Sequence, residues 1–260
     1  MTDELNQFLW FVQEREDIRI RKETGCPKPW TTDPILQQYR FCNVNRSDDT
    51  VSRWIYENWI QPYEHHPLIV EAIVIARMIN WPDTLAEIGF PDVGQDWVEY
   101  ADRIRARINR GEKTWTGAYM ITAEMDGTPK EISVLKTVAT VQNLTIPNHC
   151  YGAWVELQKL PRIGSFMAAQ FVADLKRTKV LGQANDAWDF CAPGPGSQRG
   201  LNYILSTPNK EWKQPEFNME VNKLQGFLPF MLDAQNTQNC LCEFSKYVRG
   251  TSRSKYPGAA

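Results

Sequence analysis

The sequence predicts a mainly α chain of 260 residues, folded as one domain (1–260) of two helical lobes with a cleft. Three observations predict it. Apolar residues recur at helical spacing through most of the chain. Cap residues, with proline at the first helical position, mark helix starts, as in "TTDPIL". Strand signals are short and weak. Apolar residues make up 42% of the chain, enough for a sizeable core.

Taken in order, Leu5, Phe8, Leu9, Val12 and Ile18 form the stripe of an opening helix. Asp33 caps a helix that begins at Pro34. "SDDTVSRWIYENWI" opens on Ser47 or Asp48 as cap, with Val51, Trp54, Ile55 and Trp59 on its apolar face. Residues 66–80 read as a buried helix, and Pro82 starts a short one. Residues 95–110 form an amphipathic helix with Trp97, Tyr100, Ile104 and Ile108. "MDGTP" is a turn. Helices follow over 130–143 and 148–160, then a helical hairpin over 150–177. Residues 178–200, with "APGPGS", read as a structured loop, with the site loop at 183–200. Helices are expected near 197–205 and 217–238, then an irregular basic tail over 240–260.

The net charge of −2 argues against a protein that coats nucleic acid without specificity. The charge is uneven, however. Residues 64–105 hold eight acids against three arginines, whereas 159–213 hold eight bases against four acids. Residues 245–256 carry Lys246, Arg249, Arg253 and Lys255 and no acid. The six cysteines lack C-x-x-C and zinc spacing, so no metal site and no cofactor is expected. A signal peptide and a long apolar run are both missing, which points to a cytoplasmic protein with free thiols and no membrane partner.

The stretch Lys159–Lys176, "KLPRIGSFMAAQFVADLK", has the layout of a helix-hairpin-helix DNA-binding element. Pro161 stops the first helix. Gly164 permits a tight turn and close backbone approach to another surface. The second helix starts near Ser165, where outward amides attract a phosphate. Lys159 and Arg162 supplement it, with Ile163 in the turn. The same tetrapeptide also makes a plain helical corner.

Asp186, in "QANDAW", follows Leu160 by 26 residues. A hairpin followed by an aspartate about two dozen residues on resembles the helix-hairpin-helix DNA glycosylases. That resemblance implies a glycosylase-like two-lobed helical fold with Asp186 as the catalytic carboxylate. The lysine nucleophile of some glycosylases has no counterpart at Phe166 or Met167.

Four separated motifs give a narrower resemblance covering most of residues 15–256. They are "PWTTDPILQQYRFCNVNRSDDTVSRWI", "LPRIGSFMAAQFVADL", "NDAW…GPGSQRGL" and "LCEFSKY". Together they resemble the phage thymine-hypermodification family of α-glutamyl/putrescinyl thymine pyrophosphorylases, or amino acid:DNA transferases. The helical domain of 5-hydroxymethyluracil DNA kinases belongs to the same group. The resemblance implies an enzyme that replaces the pyrophosphate of 5-(pyrophosphoryloxymethyl)uracil in double-stranded DNA with an amino acid or amine. It would act after a 5-hydroxymethyluracil DNA kinase. A kinase itself needs a nucleotide-binding module, and no G-x-x-x-x-G-K-[ST] is present. The alternatives are a DNA glycosylase and a non-catalytic reader of modified DNA.

The chemistry assigns candidate roles. Base extrusion, if used, costs a few kcal/mol. Trp30 and Trp188 either stack on the base or fill core. The amine displaces pyrophosphate directly, or a nucleophile first adds to carbon 6 of the ring. Cys191 is a candidate nucleophile, with Cys42 and Cys242 behind it, and an inert buried thiol is the alternative for each. A base must take the amine's proton: Asp186 first, then Asp33, Asp49 and Glu243, each of which reads equally as a helix cap or structural pair. Asn43, Arg46, Arg199 and Lys246 fall in the family-like motifs and suit a leaving pyrophosphate. Gly194 and Gly196 either supply backbone amides for an anion or belong to a bare turn. Arg21, Lys22, Lys28 and Thr31 of "RKETGCPKPWT" either line the same cleft or form a solvated loop.

Overall fold

The computed structural model describes residues 2–116, 127–252 and 254–256. Part of the expected "MDGTP" turn, Arg253 of the basic tail and residues 257–260 lie outside them. The chain is mainly helical and divides into two compact units. Unit 1 joins Met1–Asp49 to Trp188–Ala260, and unit 2 is Thr50–Ala187.

In unit 1, α1 (Asp3–Glu23) is capped by Thr2 and buries Phe8, Phe11, Val12, Arg15 and Ile18. Leu5 and Leu9 of the expected stripe are only partly buried, Phe11 joins it, and Arg15 places a cation on the apolar face. Next, α2 (Pro34–Gln38) starts as read, with the Asp33 carboxylate accepting the Leu36 N–H at 2.8 Å. The strand β1 (Tyr39–Arg40) pairs antiparallel with β2 (Ser254–Lys255), so the tail is tied to the N-terminal segment.

Unit 2 runs from α3 (Thr50–Ile55) through α4 (Ile69–Ile79), α5 (Pro82–Ile88), α6 (Trp97–Asn109), α7 (Lys130–Ala139), α8 (Cys150–Leu157) and α9 (Ser165–Leu175). The expected cap at Ser47 or Asp48 is corrected: Arg46–Asp48 is a separate 3-10 turn capped by Asn45, and α3 starts after it. The central α4 has Ile69, Ile73, Ile75 and Met78 all buried. Its Arg77 makes a two-pronged buried ion pair with Asp174 of α9, at 2.5 and 2.7 Å.

The chain returns to unit 1 for α10 (Pro195–Ile204), α11 (Gln214–Gln225) and α12 (Ala234–Tyr247). Two expectations are corrected here. "GPGS" is a helix start rather than a loop, with Pro195 in the first turn. The single helix near 217–238 is two, separated by "FLPFML", where Pro229 cannot continue a helix. Asp233 then caps α12, which takes up residues 240–247 of the expected irregular tail.

The pair α10 and α12 forms the backbone of this unit. A Cβ added at Gly200 would lie 2.2 Å from the Leu241 carbonyl oxygen, and one at Gly196 would lie 2.4 Å from Cys242 Sγ. These two residues, one helical turn apart, let the helices approach closely. Phe8, Phe11, Leu201, Phe217, Leu241 and Phe244 fill the core around them. Among the described residues no helix is long and apolar enough to cross a membrane.

Candidate functional site

The loop after β1 and the last turns of α12 place a polar cluster in unit 1. Glu243, 3% exposed, pairs with Lys246 one turn on and accepts the Cys42 N–H at 3.4 Å. Asp49 accepts the Asn43 N–H at 3.0 Å through one oxygen, and the other lies 3.6 Å from Arg46 Nε. The Arg46 N–H donates to Asn236 of α12 at 3.0 Å. Arg15 of α1 closes the base by donating to the Cys42 carbonyl.

Burial sets the protonation behaviour of the cluster. It pushes the Asp49 carboxyl above the ordinary carboxylate range, against the Asn43 N–H and the Arg46 charge. The Cys42 thiol is pushed up to about 12 by burial, with Glu243 and Asp49 adding to it. Cys242 is raised by burial and Glu243, against Lys246, Arg199 and Arg46. Burial alone lowers Lys246, but its ion pair with Glu243 outweighs that and raises it. Burial that raises both thiols disfavours the thiolate form, which counts against Cys42 and Cys242 as nucleophiles. A carboxyl with a raised pKa beside two cations suits proton transfer next to an anionic group.

Of the sequence-expected residues, Asn43, Arg46, Glu243 and Lys246 therefore meet in one place, and the fields of Arg46, Arg199 and Lys246 reach Cys242. Others do not join them. Cys191 sits at 1% exposure in the apolar core of unit 1, the setting of an inert thiol, and drops out as a nucleophile. Asp33 is a structural tie: one oxygen caps α2 and the other accepts Tyr247 OH at 2.9 Å. Thr31 is buried, and its hydroxyl accepts the Asp33 N–H. Gly194 is corrected as part of an anion cradle. The Gly194 N–H is taken by Ser197 Oγ at 3.0 Å, and Gly196 packs on Cys242. Trp188 is 48% exposed, which overturns the core alternative for it. Trp30 is half-buried, its Nε1 donating to the Cys26 carbonyl at 2.8 Å.

Asp186 belongs to unit 2. Its two oxygens accept the Cys150 and Tyr151 N–H groups at 2.7 and 2.9 Å, which fastens it to the start of α8. A carboxylate there satisfies two amides without an intrahelical partner and favours the helix by roughly 0.3–1 kcal/mol.

The hairpin α8–α9 is present, with Leu160 and Ile163 buried beneath its turn. The left-handed residue is Arg162 (φ 67°), whereas Gly164 has φ −94°, so the expected conformational role of Gly164 is corrected. Nothing lies within 4 Å of a Cβ built at Gly164. Lys159 pairs with Glu156 at 2.6 Å. Gly164→Ala is therefore expected to leave the melting temperature within about 2 °C of the parent, because neither strain nor a clash is introduced. If the α9 start meets a phosphate backbone, the same change weakens duplex binding several-fold. A binding isotherm beside a thermal melt separates the two, and unchanged binding removes the glycine from the interface.

Sequence reasoning missed Arg15, Asn236 and Gln238. Arg15 had a visible signal, because it falls between Phe11 and Ile18 on an otherwise apolar stripe. Asn236 and Gln238 had none, since only the pairing of α12 with the loop and with α10 gives them partners.

Fold and site together define a class: a helical module that gathers cations around a buried acid. The chain belongs to the family described as "5-hmdU DNA kinase, helical domain", whose model matches residues 2–256. A curated relative, the 5-hmdU DNA kinase of Bacillus phage SP10, is 26% identical over 235 residues, covering 78% of this chain and 37% of that protein. The chain thus spans little more than a third of the length of that relative. No solved structure matches it.

Proposed function

We propose that this chain acts in thymine hypermodification, replacing the pyrophosphate of 5-(pyrophosphoryloxymethyl)uracil in DNA with an amine. Family membership supports the coarser part, a role connected with modified thymine in phage DNA. The observation that carries the finer part is the cluster of Arg46 and Lys246 around Asp49 and Glu243. In the proposed step a carbon–nitrogen bond forms at the 5-methylene, and the carbon–oxygen bond to pyrophosphate breaks. Pyrophosphate leaves, drawn by Arg46, Lys246 and Arg199, and the amine's proton passes to Asp49. Asp49 replaces Asp186 as the favoured base, because it shares the cluster with these cations whereas Asp186 is spent on α8. Carbon-6 addition by a cysteine loses support, since burial raises the thiols near the cluster.

The test is nucleoside mass spectrometry of pyrophosphorylated duplex DNA after incubation with the chain and a pool of amino acids and polyamines. An amine-bearing thymine with released pyrophosphate is expected. Abasic sites would instead identify a glycosylase. A second reading, a non-catalytic reader of modified DNA, is favoured by the match to one part of a longer kinase. It predicts tight binding to 5-hydroxymethyluracil duplex and no turnover with any amine.

A further inference from the structure

On the face of unit 1 where β1 meets β2, the loop after α1 and the C-terminal tail come together. Tyr256 is held there by its N–H to the Gln38 carbonyl at 3.0 Å and by Lys22 Nζ on its hydroxyl at 2.5 Å. Three cations surround its ring: Lys22 at 4.7 Å, Arg40 at 5.1 Å and Lys28 at 5.4 Å from the centroid. Lys22 and Lys28 also lie 4.9 and 5.0 Å from the Trp30 ring. All three are exposed, and none has a carboxylate partner among the described residues.

These distances put any two of the charges within about 11 Å of each other, close to the Debye length at physiological salt. They therefore repel one another, and only the faces of two aromatic rings offset that. The nearby acids are already engaged. Glu16, Glu23 and Asp48 pair with Arg19, and Glu14 and Asp17 with Arg21.

A second observation lies beside the patch. A notch of about 20 Å³, room for one water-sized group, is lined by Arg15, Arg19, Lys22, Tyr39, Asn43 and Tyr256, among others. Arg15 is only 6% exposed, yet its Nε and Nη1 have no hydrogen-bond partner. A buried guanidinium with unmet donors calls for an anion. Solvated lysines on a loop do not explain this arrangement, because Lys22 and Tyr256 of the patch line the same notch as the buried Arg15.

We infer that Lys22, Lys28 and Arg40, with Tyr256, Trp30 and the Arg15 notch, form a contact surface for the phosphate backbone of DNA, separate from the α8–α9 hairpin. This inference rests on the reading that the chain acts on DNA. The phosphates neutralise the exposed trio, and one phosphate oxygen fills the notch. Contacts of this kind are independent of base sequence and fix register on the duplex.

The test measures affinity for a 20-base-pair duplex, with and without 5-hydroxymethyluracil, across a sodium chloride series. Two variants accompany the parent chain: Lys22→Gln/Lys28→Gln/Arg40→Gln, and Lys159→Gln/Arg162→Gln in the hairpin. Losing three phosphate contacts is expected to weaken binding at least tenfold at low salt. It should also flatten the slope of log K against log salt by about 2 to 3. Lysine acetylation footprinting of the parent chain adds a readout free of mutation. Lys22 and Lys28 should be protected by the duplex and not by inorganic phosphate or pyrophosphate at equal phosphate concentration. An unchanged slope in the triple variant, with binding lost in the hairpin variant, overturns the surface and leaves the DNA-acting reading standing. Protection by free phosphate alone also overturns it, since the site would then serve a small anion. A parent chain that binds no duplex at any salt concentration overturns both.

Discussion

Replacing Asp174 by alanine is expected to destabilise unit 2 by about 3–5 kcal/mol, the cost of stranding a buried charge. Asp174 is 3% exposed and its partner Arg77 is 5% exposed. Two short hydrogen bonds join them, while Ser52 and Asn80 accept from Arg77 at the longer distances of 3.2 and 3.3 Å. After the substitution Arg77 keeps those neutral partners but loses its counter-charge. The effect should reach the hairpin, because α9 carries Asp174 and packs on α4. Urea denaturation read by tryptophan fluorescence checks it. A loss below 1 kcal/mol would show that Arg77 finds water or another acid. The double change Arg77→Met/Asp174→Leu should recover much of the loss, since removing both charges strands neither.

Asp49→Asn is expected to cut amine transfer by at least about 10²-fold, the usual worth of a positioned base. Asparagine still accepts the Asn43 N–H, so the loop should hold while the proton acceptor is lost. The pH dependence carries the sign. The Asp49 carboxyl is raised by burial, so the parent rate should fall as pH drops through a value above the ordinary carboxylate range. The acid limb should disappear from the residual rate of Asp49→Asn. Stability moves in a linked way. With the folded pKa raised above the unfolded one, the contribution of this group is full below the unfolded pKa and is lost as pH rises through the folded one. Asp49→Asn should therefore gain stability relative to the parent as pH rises. A transfer rate that keeps its acid limb in Asp49→Asn would assign the base to another residue.

Much of the local structure is legible without coordinates. Asp33 before Pro34 accepts the N–H of a first-turn residue, because a short carboxylate at a helix start satisfies an otherwise unpaired amide. Asp96 and Asp233 do the same at two helix starts for which the sequence reading named no cap. The error at 217–238 has an equally local cause: apolar spacing continues across Pro229 while the helix does not. "GPGSQRGL" was a harder case. Its glycines suit an anion loop and a close helix contact equally well, and only the position of α12 against Gly196 and Gly200 decides between them.

By itself the sequence determined that the chain is helical, where most helices begin, that a hairpin sits at 150–177, and which motifs hold cations. Helix periodicity and capping depend on residues within a few positions of one another, so they can be read along the chain. Tertiary structure alone decided which charged groups meet. Cys42 and Glu243 are about 200 residues apart, as are Lys22 and Tyr256 at more than that, yet each pair is in hydrogen-bond contact. Charges act through space and burial, not along the chain. Folding therefore turned Asp49 into a raised acid beside Arg46, spent Asp186 on α8, and drew a loop and a tail into one basic surface.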